Sequence, residues 1–239
     1  MFFGFVGVFL TTAIFGVVAL LVVGSTRIDR GARGMCKRSE ALGGPAILPQ
    51  IRLAALSLTL FHTAMFMGSI ALPIVVTREL NGTNADVGFI FSLCAFLEVL
   101  VMLVFVLRPS SSGDSHWIAG GFLAFILYFL VITWASSVPV LMGAQVLRAV
   151  GIGLIGYQGI SYVQALMPNR LGSAAALFSN TTNTGSMVAG MAAGAWAQLF
   201  GYRSTFLACA GLSFLGFLIL YLQRKIYPKP TSKASAARS

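Results

Sequence analysis

Charged residues are scarce in this sequence, and acidic ones are the scarcest. Only 9% of the 239 residues are Asp, Glu, Lys or Arg, whereas soluble domains carry about a quarter. Hydrophobic residues make up 57% of the chain, and its mean hydropathy is +0.88. This composition argues against a water-soluble fold and indicates an integral membrane protein.

The chain also has few cysteines and few of the patterns that mark catalytic sites. Cys36, Cys94 and Cys209 are not spaced as metal ligands. The loops contain no His-x-x-x-His pair, no phosphate-binding loop and no paired Ser, His and Asp residues, and they are too short to build a soluble active site. We therefore expect neither enzyme activity nor a metal ion or cofactor.

Long apolar runs fill most of the chain. A helix that crosses the hydrocarbon core needs roughly 20 mostly apolar residues, because each residue rises about 1.5 Å and the core is about 30 Å thick. The sequence predicts an all-α membrane protein with about seven transmembrane helices. Their approximate limits are 1–24, 52–77, 87–107, 117–136, 138–164, 173–199 and 203–223.

The net charge of +10 is concentrated between and after these runs. Residues 25–51 form a basic segment that we place in the cytoplasm as a connector, and residues 224–239 form a basic tail on the same side. This orientation puts 13 of the 16 Lys and Arg residues in the cytoplasm, in agreement with the positive-inside rule. We thus predict a multi-pass protein of the inner (plasma) membrane with an external N-terminus, a cytoplasmic C-terminus and no nucleic-acid partner.

Two charged residues lie deep inside predicted spans, away from the span ends. Glu98 is about eleven residues into the third span and Arg148 about ten into the fifth, counted from the same side, so their depths are similar. Charged groups in a bilayer are costly and usually face the interior of a helix bundle. The pair is predicted either to couple transport to protons and bind a polar substrate, or to form an ion pair that clamps two helices.

Helical phase groups further polar side chains on narrow faces. In the second span His62 shares a stripe with Ser69 and Pro73, which is typical of a cavity face, although a histidine bonded to a neighbouring helix explains it equally well. In later spans, amides and a tyrosine suit a sugar-sized ligand, the alternative being hydrogen bonds between helices. These candidates are Gln145, Gln158, Tyr162, Asn180 and Asn183, while Gln164 points away from the arc that the other residues of its span share.

Two glycine patterns occur within the spans. Residues 151–156 match a dinucleotide fingerprint in form, but they lie in mid-span without a preceding strand. Gly190 and Gly194 have a small-residue spacing that, together with Gly185 and Ala189, lets two helices approach closely. We interpret both patterns as helix packing.

Several segments resemble bacterial sugar efflux transporters of the major facilitator superfamily. Residues 162–174 with Leu177 to Asn180 resemble the region of helices 10 and 11, residues 96–99 resemble the glutamate-bearing helix 8, and residues 67–69 with Pro73 resemble helix 7. On this resemblance, residues 1–24 correspond to helix 6, residues 25–51 to the connector between halves, and residues 52–223 to the C-terminal six-helix half.

The resemblance implies proton-coupled efflux of sugars or sugar-like compounds by alternating access. It also implies that Glu98, Gln164, Asn180 and Asn183 occupy the family's polar positions. The expected partners are a small sugar-like substrate, protons, the lipid bilayer, and a missing N-terminal half or a second copy.

The leading interpretation is a truncated transporter that needs its missing half. Two alternatives remain open from the sequence. The chain is either a non-transporting remnant that serves as a membrane interaction module, or a major facilitator transporter of drugs or other small molecules.

Overall fold

Six long α-helices make up the part of the chain that the computed structural model describes, which is residues 47–107, 115–168 and 170–227. No strand occurs in these ranges, so the predicted all-α fold is confirmed. The helices are α1 (Ile47–Arg78), α2 (Asn84–Leu107), α3 (Ser115–Thr133), α4 (Val138–Leu166), α5 (Leu171–Phe200) and α6 (Tyr202–Ile226).

The helix limits differ from the predicted ones by a few residues. The largest difference is at α1, which begins at Ile47 and so takes in the end of the predicted 25–51 connector. Pro49 lies in the first turn of this helix, where the missing amide proton costs no hydrogen bond. The predicted helix 1–24, the rest of the connector and most of the tail lie outside the described residues.

Five of the six described helices are long and apolar enough to cross a membrane. The exception is α5, which has 30 residues and is therefore about 45 Å long, but carries the polar run Ser179 to Thr184 in its middle. The predicted span at 173–199 is thus confirmed as a helix of sufficient length, but it has no stretch as apolar as those that qualify the other five helices.

Aromatic rings from α3 form the centre of the core. Phe122, Phe125 and Phe129 are fully buried, and each lies on a glycine of a different neighbouring helix. A Cβ atom on any of those glycines would overlap the ring, so the absent side chains make the space that the rings fill. The glycines are Gly216 of α6, Gly151 of α4 and Gly68 of α1, in that order.

The other helices surround this centre unequally. α1 packs mainly on α5 and α6, α3 packs on α4 and α6, and α2 packs mainly on α4. Because α2 has so few neighbours, much of its apolar surface is open, including Phe96 and Val99. This surface suits contact with lipid.

One end of the helical unit is tied by Arg203, at the start of α6. Its Nε donates to Glu79 Oε2 at 2.7 Å, and its Nη2 donates to the carbonyl oxygen of Ala135 at 2.9 Å. These contacts join α6 to the end of α1 and to the α3–α4 connection. The Arg203–Glu79 contact is an ion pair between partly exposed side chains.

Candidate functional site

The guanidinium of Arg148 lies where α1, α2 and α4 meet. Arg148 is only 8% exposed. Its Nη2 donates to Ser69 Oγ of α1 at 2.8 Å, and its Cζ lies 5.1 Å from the ring centroid of Phe91 of α2, within the range of a cation–π contact. Its Nη1 is buried and has no hydrogen-bond partner among the described residues. A charged group therefore sits inside the bundle with part of its hydrogen-bonding capacity unused.

Glu98 lies on the same face of α2, but it does not pair with Arg148. In the part of the chain that the structure describes, no carboxylate oxygen lies within 4.0 Å of the Arg148 guanidinium, so the predicted ion pair between these residues is wrong. The carboxylate of Glu98 is half-buried and lies on the helix whose Phe91 contacts the guanidinium.

The direction of the arginine side chain explains the absence of the ion pair. Helical side chains tilt toward the N-terminus of their helix, and α2 and α4 run in the same direction, since Val101 contacts Gly153 and Met102 contacts Gly156. Arg148 accordingly reaches back toward Phe91. That ring lies seven residues before Glu98, a distance of about 10 Å along the helix.

His62 makes the second polar contact of α1, with α5. Its Nδ1 lies 3.4 Å from Thr181 Oγ1, and its Nε2 lies 3.3 Å from Thr182 Oγ1. The imidazole also contacts the rings of Phe61 and Phe178 edge-on. This geometry corresponds to the packing interpretation of His62, in which the histidine is bonded to a neighbouring helix.

The polar residues of α4 share one buried face, as their spacing indicates. Gln145, Gln158 and Tyr162 are each at most 5% exposed, whereas Gln164 is half-buried. They do not form one cluster, because Gln145 and Tyr162 are 17 residues apart and so about 25 Å apart along the helix. Gln145 Nε2 donates within its own helix, to Leu141 O at 3.0 Å, and the Tyr162 hydroxyl lies next to Gln223 of α6.

Asn180 and Asn183 lie on the open side of α5. Both are exposed, while Thr181 and Gly185 of the same helix turn toward α1. The structure therefore does not bring these asparagines together with Glu98 and Arg148. They lie on a face that no described helix covers.

The glycine patterns divide into one that packs and one that does not. Gly151 and Gly153 lie against Phe125 and Val101, and Gly156 meets the end of Met102, so this fingerprint-like run provides space for neighbouring helices. Nothing in the described residues lies within 4 Å of a Cβ placed on Gly190 or Gly194. The packing prediction therefore fails for these two within the described residues. It holds for Gly185, where an added Cβ would lie 2.6 Å from His62 Cβ of α1.

Sequence reasoning missed the contributions of Ser69 and Phe91. Ser69 shares the predicted stripe with His62, but its partner on α4 carries no local sequence signal. Phe91 has the helical spacing that places it with Cys94 and Glu98 on one face, so its position was detectable. Its contact with the arginine was not.

The family of the chain follows from comparison with known proteins. Residues 54–239 match the Major Facilitator Superfamily, and this is most of the chain. The protein therefore belongs to that superfamily and is a multi-pass membrane protein.

Its relatives include sugar efflux proteins, which confirms the resemblance seen in the sequence. The chain is 43% identical over 188 residues to a putative sugar efflux transporter of Deinococcus radiodurans, which covers 78% of this chain and 48% of that protein. It is 29% identical over 176 residues to sugar efflux transporter A of Escherichia coli, and this match covers 74% of this chain and 44% of that protein. The chain thus spans about half the length of the curated relatives that it matches.

Proposed function

We propose that the six described helices form one half of a proton-coupled exporter of sugars or sugar-like compounds. The observation that carries this proposal is the buried Arg148. Its Nη1 has no partner among the described residues, and its guanidinium contacts Phe91 on the helix that carries Glu98. Charged groups inside membrane helices usually mark a transport pathway. The names of the sugar efflux relatives favour a polyhydroxylated substrate.

A second half is part of the proposal. Alternating access requires two helix bundles that rock against each other around a central site, and the matched relatives are about twice as long as the matched segment. The open face of α5, with Asn180 and Asn183, would line the cavity on this side. The other side would come from an N-terminal half or a second copy. We place the end of α6 in the cytoplasm because of the basic residues that follow it.

The roles of the residues follow from their chemistry. Glu98 carries the proton or accepts a substrate hydroxyl, and it is the best candidate for coupling. Arg148 supplies a fixed positive charge and a free donor. Asn180, Asn183 and Gln164 offer amide donors and acceptors to the substrate. His62 and Tyr162 instead lie against neighbouring helices, and Gln145 and Gln158 are fully buried.

The test is sugar transport by a reassembled transporter. The chain is co-expressed with the N-terminal half of the Deinococcus radiodurans relative, and inverted membrane vesicles are supplied with radiolabelled mono- and disaccharides. We expect uptake that depends on a proton gradient and is abolished by an uncoupler. Glu98→Gln should abolish this uptake, because an amide cannot exchange a proton, while expression stays normal.

Glu79→Gln is the matched control, since it removes the carboxylate that pairs with Arg203 far from the site. This variant should keep its transport. Unchanged transport by Glu98→Gln would remove Glu98 from the mechanism. Proton-driven uptake of drugs but of no sugar would replace the proposed substrate class.

A further inference from the structure

Ser69 presents an oriented acceptor to Arg148. Its hydroxyl donates to the carbonyl oxygen of Met65, one turn earlier in α1, at 2.8 Å. Because the hydroxyl proton is committed to this bond, a lone pair of the oxygen is left for the Nη2 group of Arg148, 2.8 Å away. The serine therefore holds the guanidinium from the α1 side.

Phe91 holds the same guanidinium from the α2 side. The cation lies 5.1 Å from the ring centroid, and the negative face of an aromatic ring attracts a cation most strongly where water is excluded. Neither Ser69 nor Phe91 carries a charge. Together they hold Arg148 without neutralising it.

We propose that Ser69, with Phe91, is a positioning residue that keeps Arg148 away from Glu98. Opposite charges attract strongly at low dielectric. A turn of the Arg148 side chain toward Glu98, about 10 Å further along the helix, would take the guanidinium away from Phe91. The Ser69 contact opposes that turn and leaves the Glu98 carboxylate unpaired. This inference rests on the proposed role of Glu98, because an unpaired carboxylate is what a proton or a sugar hydroxyl needs.

The distance between Glu98 and Arg148 tests the proposal directly. The full chain is reconstituted in lipid bilayers with ¹³C in the glutamate carboxyl groups and ¹⁵N in the arginine guanidinium groups. The sequence has three glutamates, so Glu40→Gln and Glu79→Gln leave Glu98 as the only labelled carboxyl. Dipolar dephasing in solid-state NMR should show no ion pair in this background. Adding Ser69→Ala should produce one, with nitrogen and oxygen about 4 Å apart or less.

Ser161→Ala is the matched control. Ser161 Oγ also donates to a carbonyl oxygen one turn earlier, that of Tyr157 at 3.2 Å, but it does not contact Arg148. The control should leave the dephasing unchanged, and Ser69→Thr, which keeps the hydroxyl, should also preserve it. A Glu98–Arg148 pair in the starting protein, or no pair after Ser69→Ala, overturns the proposal.

Two features keep the test decisive. If Ser69→Ala does not accumulate in membranes, Phe91→Leu removes the other restraint and should also produce the ion pair, and its failure to do so counts against the proposal. The distance needs no transport, so it can confirm the positioning role even if the vesicles take up no sugar. Conversely, if sugar uptake depends on Glu98 but Ser69→Ala does not change the Glu98–Arg148 distance, the proposed transport function stands and the positioning role of Ser69 fails.

Discussion

Helix α1 meets α4 and α5 through two polar contacts that differ in charge and in how fully their hydrogen-bonding groups are used. Toward α4, Ser69 binds the guanidinium of Arg148, which keeps an unpartnered Nη1 among the described residues. Toward α5, His62 meets the hydroxyl groups of Thr181 and Thr182. The first contact leaves a charge and a donor unsatisfied, whereas the second uses both ring nitrogens.

The difference separates a contact suited to function from one suited to packing. A buried charge without a carboxylate partner contributes little to stability, because desolvation costs more than the few contacts return. A hydrogen-bonded neutral ring contributes modestly to stability and does not offer a free group to a ligand. Removing the first contact should therefore harm transport, and removing the second should harm stability.

Arg148→Met should give the largest effect, and it should act on transport. A hydrogen bond from a charged group is worth about 1.5–3 kcal/mol, so sugar uptake in the reassembled transporter should fall by about tenfold or more. The melting temperature should stay the same or rise, since an apolar side chain replaces an unneutralised charge. Uptake and thermal unfolding are measured on the same preparations.

Arg203→Met is the control for this prediction, because Arg203 is ion-paired with Glu79 and bonded to Ala135 O. It should keep its transport and lose some stability, the reverse of Arg148→Met. If Arg148→Met unfolds the protein as well, the arginine is a structural clamp, and the contrast between the two contacts of α1 fails.

Gly185→Ala should give the next largest effect, a loss of stability at the α1–α5 contact. The added Cβ would lie 2.6 Å from His62 Cβ and 2.9 Å from the backbone nitrogen of Thr63, and backbone atoms cannot move aside cheaply. Overpacking of this kind costs about 1–3 kcal/mol, which thermal unfolding of the chain in nanodiscs would detect.

Gly190→Ala in the same helix provides the matched comparison. Nothing among the described residues lies within 4 Å of its added Cβ, and alanine stabilises a helix interior by roughly 0.5–1 kcal/mol relative to glycine. Its melting temperature should therefore hold or rise. Equal losses from both variants would show that the close approach at Gly185 is not the cause of the lost stability.

The helices were predictable from the sequence because the bilayer imposes a simple rule. Long apolar runs must be helical where no water satisfies the backbone, so the predicted positions of all six described helices hold to within a few residues. Their faces were partly predictable too. Helical phase alone places Gln145, Arg148, Gln158 and Tyr162 on one side of α4, and all four are buried.

Contacts between helices were less predictable, since phase gives the face of a residue but not its neighbour or the rotamer of a long side chain. Equal depth made an ion pair between Glu98 and Arg148 reasonable, yet the arginine turns toward Phe91 and Ser69. Of the glycines predicted to pack closely in α5, Gly185 approaches α1, whereas a Cβ on Gly190 or Gly194 meets nothing among the described residues. Small residues permit a close approach and do not specify one.

His62→Phe should give the smallest effect, and it tests the packing side of the comparison. Phenylalanine keeps edge-on ring contacts with Phe61 and Phe178 but loses both threonine bonds. Those bonds are long, at 3.3 and 3.4 Å, and Thr181 Oγ1 also donates to Phe178 O at 2.7 Å, so its hydroxyl keeps a partner. We expect a loss of about 0.5–1.5 kcal/mol in thermal unfolding and no loss of sugar uptake, because the imidazole offers no free group to a substrate. Abolished uptake with unchanged stability would instead make His62 part of the transport pathway, and the two contacts of α1 would then share one function.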